Sequence, residues 1–174
     1  MDAATRPLVI AHRGFRSVAP ENTLAAFSAA FDSGVSWIEL DVAASSDGEL
    51  VVIHDDALDR TTDARSRYPD RGSYAVYDWT LGELRSLDAG SWFAERDPFG
   101  RIARGEVARA ALEAYRGERI PTLRECLVLA RERGGSVNVE IKDATGRACD
   151  AWIVERSLDL IRGTGMADRV LLSS

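Results

Sequence analysis

The chain has 174 residues, of which 45% are apolar and 29% charged, and a formal net charge of −6. That length suits one domain with a sizeable core, and the acidic balance argues against a nucleic-acid partner and requires a local cation wherever a phosphate is bound. The two cysteines, Cys126 and Cys149, show neither metal-ligand spacing nor a disulfide framework and are expected to be reduced and structural. No apolar run approaches the ~18 residues of a membrane span, and MDAATRPLVIAHRG at the N-terminus lacks a signal-peptide core. A soluble cytoplasmic protein is the expectation.

Leu8 to Ala11 reads as a short buried strand, ending in the loop His12-Arg13-Gly14. Gly14 is expected to let that loop approach a ligand closely. Pro20-Glu21-Asn22-Thr23 reads as a helix start, with Asn22 or Thr23 as cap, Leu24, Phe27 and Phe31 on one face, and Gly34 as the stop. Trp37 to Asp55 then reads as strand, turn and strand around Asp47-Gly48. Glu39 and Asp41 leave one face of the first strand, and Ile38, Leu40 and Val42 leave the other. Counted as a hairpin from the turn, residue 46 faces 49, and Asp41 faces His54. A parallel pairing brings Asp41 and His54 to the same end as well.

Beyond His54 the sequence is polar and irregular. Thr80 with Glu83 predicts a capping box and a short helix ending near Gly90. Ala103 to Tyr115 carries a weak helical pattern. Thr122 with Glu125 predicts a second capping box, opening a helix to about Arg133. Ser136 to Lys142 reads as a strand, Arg147 to Arg162 as a helix, and Arg169 to Ser173 as a last strand. Strands alternating with helices predict a parallel α/β sheet, where chemistry gathers at the C-terminal ends of strands.

At those ends stand His12, Glu39, Asp41, His54, Glu140 and Lys142. A single strand acid is usually an ion-pair partner, but three acids on one spot repel and resist desolvation. A divalent cation relieves both. Oxygen-only ligands favour Mg²⁺ or Ca²⁺, with Mn²⁺ as a third candidate; ligation by the histidines would instead suggest Zn²⁺ or Mn²⁺. His12 and His54, the only histidines, suit general acid and base work beside such a site. Arg13 and Lys142 could hold a phosphate or simply compensate the acids. Asp55 either orients His54 or serves the turn.

The ordered set AHRGFRSVAPENTLAAF, IELDV, DGELVVIHDDALDRTT, IPTLREC and VNVEIK resembles the glycerophosphodiester phosphodiesterase family, of the phospholipase C-like phosphodiesterase superfamily. The resemblance implies a TIM-type barrel, here with about five of the eight strands of such barrels. It implies metal-dependent hydrolysis of a small-molecule glycerophosphodiester to an alcohol and glycerol 3-phosphate. By position it implies His12 and His54 as the catalytic pair, Glu39, Asp41 and Glu140 as metal ligands, and Arg13 and Lys142 as substrate contacts. Segment 57–119 matches the family's inserted cap. Residues 63–78 and 94–118 are longer and more charged than the family's usual segment. The alternatives are a lysophospholipase D-like or other phosphodiesterase of the superfamily, or an inactive phosphate- or metal-binding fragment. An oligomeric partner or a further C-terminal part is expected to complete the barrel, because an open sheet leaves a raw edge.

Overall fold

The computed structural model describes residues 7–174. One sheet holds five strands: β1 (Ile10–His12), β2 (Trp37–Ala44), β3 (Leu50–Val52), β4 (Ser136–Ile141) and β5 (Val170–Ser173). β1, β2, β4 and β5 lie side by side and parallel, while β3 turns back antiparallel on the C-terminal end of β2. The helices are α1 (Leu24–Asp32), α2 (Ala64–Arg67), α3 (Leu81–Leu84), α4 (Ser91–Arg96), α5 (Arg109–Tyr115), α6 (Leu123–Glu132) and α7 (Ile153–Gly163). None of them is long and apolar enough to cross a membrane.

The period-2 alternation of β2 decides what each face does. Ile38, Leu40 and Val42 point into the main core, against Phe27 and Ala30 of α1, Leu123, Cys126 and Leu127 of α6, and Ile153 and Ile161 of α7. Burial of each of these larger side chains contributes roughly 1.5–3 kcal/mol. Glu39 and Asp41 occupy the opposite face and are themselves buried. Leu171 and Leu172 of β5 stand exposed, as do Leu8 and Val9 ahead of β1, so the sheet is open at both margins.

Helix starts follow the capping chemistry. Thr23 alone caps α1, its hydroxyl accepting from the Ala26 N–H at 3.2 Å. Both predicted capping boxes form, Thr80 with Glu83 on α3 and Thr122 with Glu125 on α6. Two helices begin later than the sequence pattern predicts. α7 starts at Ile153 rather than Arg147, because the Asp143 carboxylate holds a turn on Thr145 and Gly146 adopts φ +78°. α5 starts at Arg109 rather than Ala103, because the Asp97 carboxylate takes the Ile102 and Ala103 N–H groups and Gly105 adopts φ +71°. The helix predicted to end near Gly90 stops earlier, at Leu84, and a separate helix, α4, begins just beyond Gly90.

The hairpin forms, but its register differs by one residue from the two-residue count. Ser45 N–H donates to the Glu49 carbonyl, so the loop is the three residues Ser46, Asp47 and Gly48, with Gly48 at φ +89°. Asp41 therefore faces Ile53, whose N–H donates to the Asp41 carbonyl at 3.0 Å. His54 lies one residue further, beyond the end of β3, where strand alternation no longer sets its direction. Segment 57–119 folds over this hairpin. Leu58, Val76, Trp79, Leu84 and Leu87 form a second apolar cluster on Ala43, Val51 and Ile53.

Candidate active site

Strand register does most of the assembly. The β1–β2 pairing sets His12 beside Glu39. The β2–β4 pairing sets Asp41 beside Glu140. Neighbouring strands lie ~4.8 Å apart, and paired residues of parallel strands project to the same face. Glu39, Asp41 and Glu140 thus each offer a carboxylate oxygen within 4.8 Å of the others, and neither imidazole belongs to that group.

Each acid is held differently. Glu39 Oε2 accepts the Arg13 backbone N–H at 2.7 Å, and Arg13 itself has the left-handed φ of +58°. Glu39 Oε1 is buried with no hydrogen-bond partner. Burial, and then the neighbouring Asp41 charge, push the Glu39 carboxyl up to about 7. Asp41 is fully buried; its Oδ2 accepts from Asn22 Nδ2 at 2.8 Å and lies 3.4 Å from Arg13 Nε. Its Oδ1 lacks a well-aligned hydrogen bond and has only the Lys142 ammonium 2.7 Å away. Lys142 also reaches Glu140 Oε1 at 2.5 Å. Burial opposes the Lys142 charge, but bonds to Asp41 and Glu140 outweigh it and raise its pKa. Two cations thus serve three acids, and Glu39 is the acid left under-compensated. Three convergent carboxylates, with two buried oxygens lacking aligned donors, are the donor set a hard divalent cation takes.

The two histidines sit in unlike surroundings. His12 has a half-exposed side chain, with Nε2 3.7 Å from Glu39 Oε2. Burial, followed by the charges of Arg13 and Arg16, lowers its pKa below 6.5. His54 Nδ1 meets Asp55 Oδ1 at 2.5 Å. A carboxylate can only accept, so the proton is assigned to Nδ1 and Nε2 is free to face a ligand. Burial opposes ionisation of Asp55, yet hydrogen bonds from Arg60 and His54 outweigh it and hold the carboxyl down at about 2. His54 lines a small cleft with Glu21 and Asn22, and Asn22 joins that cleft to Asp41.

His12, Arg13, Glu39, Asp41, Glu140 and Lys142 therefore form one connected cluster, and His54 lines a neighbouring cleft together with Asn22, which bonds Asp41. The sequence did not reveal the site contacts of three polar residues. Asn22, at φ +56°, brackets Asp41 rather than capping α1; Glu21 binds Arg13 and Arg60; Arg60 binds Asp55. The available signal was a surplus of polar residues before a helix that needs one cap. A Cβ at Gly14 would lie 2.7 Å from the Ala26 backbone, so Gly14 lets the loop close on α1.

Residues 12–174 match the model of the glycerophosphoryl diester phosphodiesterase family. The chain belongs to that family. A glycerophosphodiester phosphodiesterase of Caldanaerobacter subterraneus is 40% identical over 169 residues, covering 97% of this chain and 58% of the relative. A glycerophosphoinositol inositolphosphodiesterase of Mus musculus is 34% identical over 141 residues, covering 81% of this chain and 26% of the relative. Among solved structures, an Oleispira antarctica phosphodiesterase in complex with the product sn-glycerol-3-phosphate superposes with a TM-score of 0.74 at 35% identity. That superposition covers 95% of this chain and 56% of the other. The chain thus spans little more than half the length of the Caldanaerobacter and Oleispira relatives and about a quarter of the mouse one. The family fold is the TIM-type barrel, and the open, mostly parallel sheet superposes on part of such a structure.

Proposed function

We propose that this protein hydrolyses a glycerophosphodiester to an alcohol and glycerol 3-phosphate, with a divalent cation held by Glu39, Asp41 and Glu140. The observation that carries this reading is the acid trio within 4.8 Å, flanked by Arg13, Lys142 and an exposed-edge imidazole. The product bound in the Oleispira relative supports the substrate class. When bound, the cation supplies charge neutralisation at the phosphate oxygens.

The side chains do the rest. Arg13 and Lys142 bind non-bridging phosphate oxygens and stabilise charge that builds in the transition state. His12, whose surroundings lower its pKa and favour the neutral base, takes the proton of the nucleophile, which is either water attacking phosphorus directly or the substrate's glycerol hydroxyl, whose cyclic phosphate a water then opens to glycerol 3-phosphate. His54, oriented through Nδ1 by Asp55, gives a proton to the leaving alkoxide from Nε2. Segment 57–119 acts as a cap beside the cleft that His54 lines, and shapes the alcohol side of the site. Two free, buried cysteines suit a reducing compartment, and the cytoplasm is the proposed location.

The test is turnover of glycerophosphocholine with Mg²⁺, Ca²⁺ or Mn²⁺ and with a chelator, run beside a lysophospholipid. Metal-dependent release of glycerol 3-phosphate is the expected result. Turnover of the lysophospholipid alone would move the substrate class, and activity untouched by the chelator would remove the cation.

A further inference from the structure

We propose that Arg60, seated on Glu21, is a positioning residue that clamps the Asp55 carboxylate and so fixes the His54 imidazole relative to Arg13. The proposal rests on the assignment of His54 as the proton donor given above. Asp55 follows His54 on an irregular loop, where one hydrogen bond alone would leave its carboxylate free to rotate. Arg60 removes that freedom. Its Nε donates to Asp55 Oδ2 at 2.5 Å and its Nη2 to Oδ1 at 3.1 Å, a two-point grip that defines the carboxylate plane. The same Nη2 donates to Glu21 Oε1 at 2.7 Å.

Glu21 is not a surface partner. It is 8% exposed, and its Oε1 also accepts from Arg13 Nη1 at 3.0 Å. One oxygen therefore joins two guanidinium groups; Arg13 also donates its backbone N–H to Glu39, and its Nε stands 3.4 Å from Asp41 Oδ2. The connected order is Asp41, Arg13, Glu21, Arg60, Asp55, His54. It runs from the acid trio to the second imidazole without a break longer than 3.4 Å. Arg60 is tied from the far side too. Its carbonyl accepts from Arg96 Nη1 at 2.6 Å, which links the clamp to α4 of the inserted segment. The position of the cap and the direction of His54 thereby share one residue.

Charge compensation alone would be satisfied by any cation at this position. A two-point grip is not, because lysine offers a point charge in place of a planar fork. The test compares R60K, R60M and E21Q with an R65M control in the full-length protein, following kcat and KM on glycerophosphocholine and the melting temperature. The chain has two histidines, so the His54 ring is assigned in nitrogen-edited spectra by comparison with an H12N variant. Expected are a kcat loss of about 10- to 100-fold in R60M and a KM within about twofold of wild type. R60K should recover the melting temperature but not kcat, and the His54 Nδ1–H signal should broaden or shift in both. Wild-type kcat in R60K, or an unchanged His54 signal in R60K and E21Q, overturns the clamp. If R60M does not fold, R60K and E21Q still decide the question. If the wild type shows no turnover, the proposed reaction fails, while the His54 spectrum continues to test the clamp.

Discussion

Glu140 of β4 lies directly across from Asp41 of β2 in the sheet register, and the Lys142 ammonium lies within 2.7 Å of both carboxylates. Two acids on adjacent strands of one face would repel in a dry site, so a cation must stand between them. Lys142 supplies one positive charge, and Glu39 is the acid it does not reach.

Divalent cations are accordingly expected to raise the melting temperature. Occupancy at about 100 times Kd is worth roughly 2.7 kcal/mol. E39Q and E140Q should each weaken binding at least tenfold by calorimetry. An unchanged cation affinity in both variants would remove these residues from the ligand set.

Stability should also depend on pH, in opposite directions over two ranges. The folded Glu39 carboxyl sits at about 7, above its unfolded value of 4.5, so the folded state holds the extra proton between them. Without added cation, stability is expected to fall by on the order of 2 kcal/mol as pH rises from about 4.5 to 7. Asp55 behaves the other way. Its folded value of about 2 lies below 3.8, so the stability it contributes is complete above about 4 and is lost as pH falls towards 2. Denaturant titrations of wild type and E39Q across this range provide the check; only the upper slope should vanish in E39Q.

Acid–base catalysis by the two imidazoles predicts that H12A and H54A each lose at least ~10² in kcat. D55N should retain shape but misassign the His54 tautomer, and is expected to lose kcat with little change in KM. Steady-state kinetics on a glycerophosphodiester would measure all three, and full activity in H12A and H54A together would exclude the mechanism.

Gly14 and Gly34 separate backbone strain from steric collision. Both have positive φ, at +78° and +88°, so alanine at either costs about 1–2 kcal/mol. A Cβ at Gly34 meets nothing within 4 Å, whereas at Gly14 it strikes the Ala26 backbone at 2.7 Å. G14A is therefore expected to destabilise by about 1–3 kcal/mol more than G34A in chemical denaturation. Equal losses would show that the β1–α1 junction yields without cost.

Much of this site was legible in the sequence because it is carried by strand ends. Spacings of two in Glu39-Leu40-Asp41 and Glu140-Ile141-Lys142 place side chains on one face whatever the rest of the fold does. The capping boxes at Thr80 and Thr122 were equally readable, since each is closed within four residues. His54 was placed at the correct end by a count that was one residue out, because Asp47-Gly48 signals a turn without stating that Ser46 belongs to its loop.

The amino-acid order by itself determined the alternation of strands and helices, the acid-bearing face of β2 and β4, and the family to which the chain belongs. All of these depend on local periodicity or on motifs read in sequence. Only the tertiary structure decided that Asn22 holds Asp41, that Glu21 joins Arg13 to Arg60, and that Arg60 grips Asp55. Those contacts join segments up to 39 residues apart, through side chains whose directions are set by packing and a positive φ rather than by any repeat in the sequence.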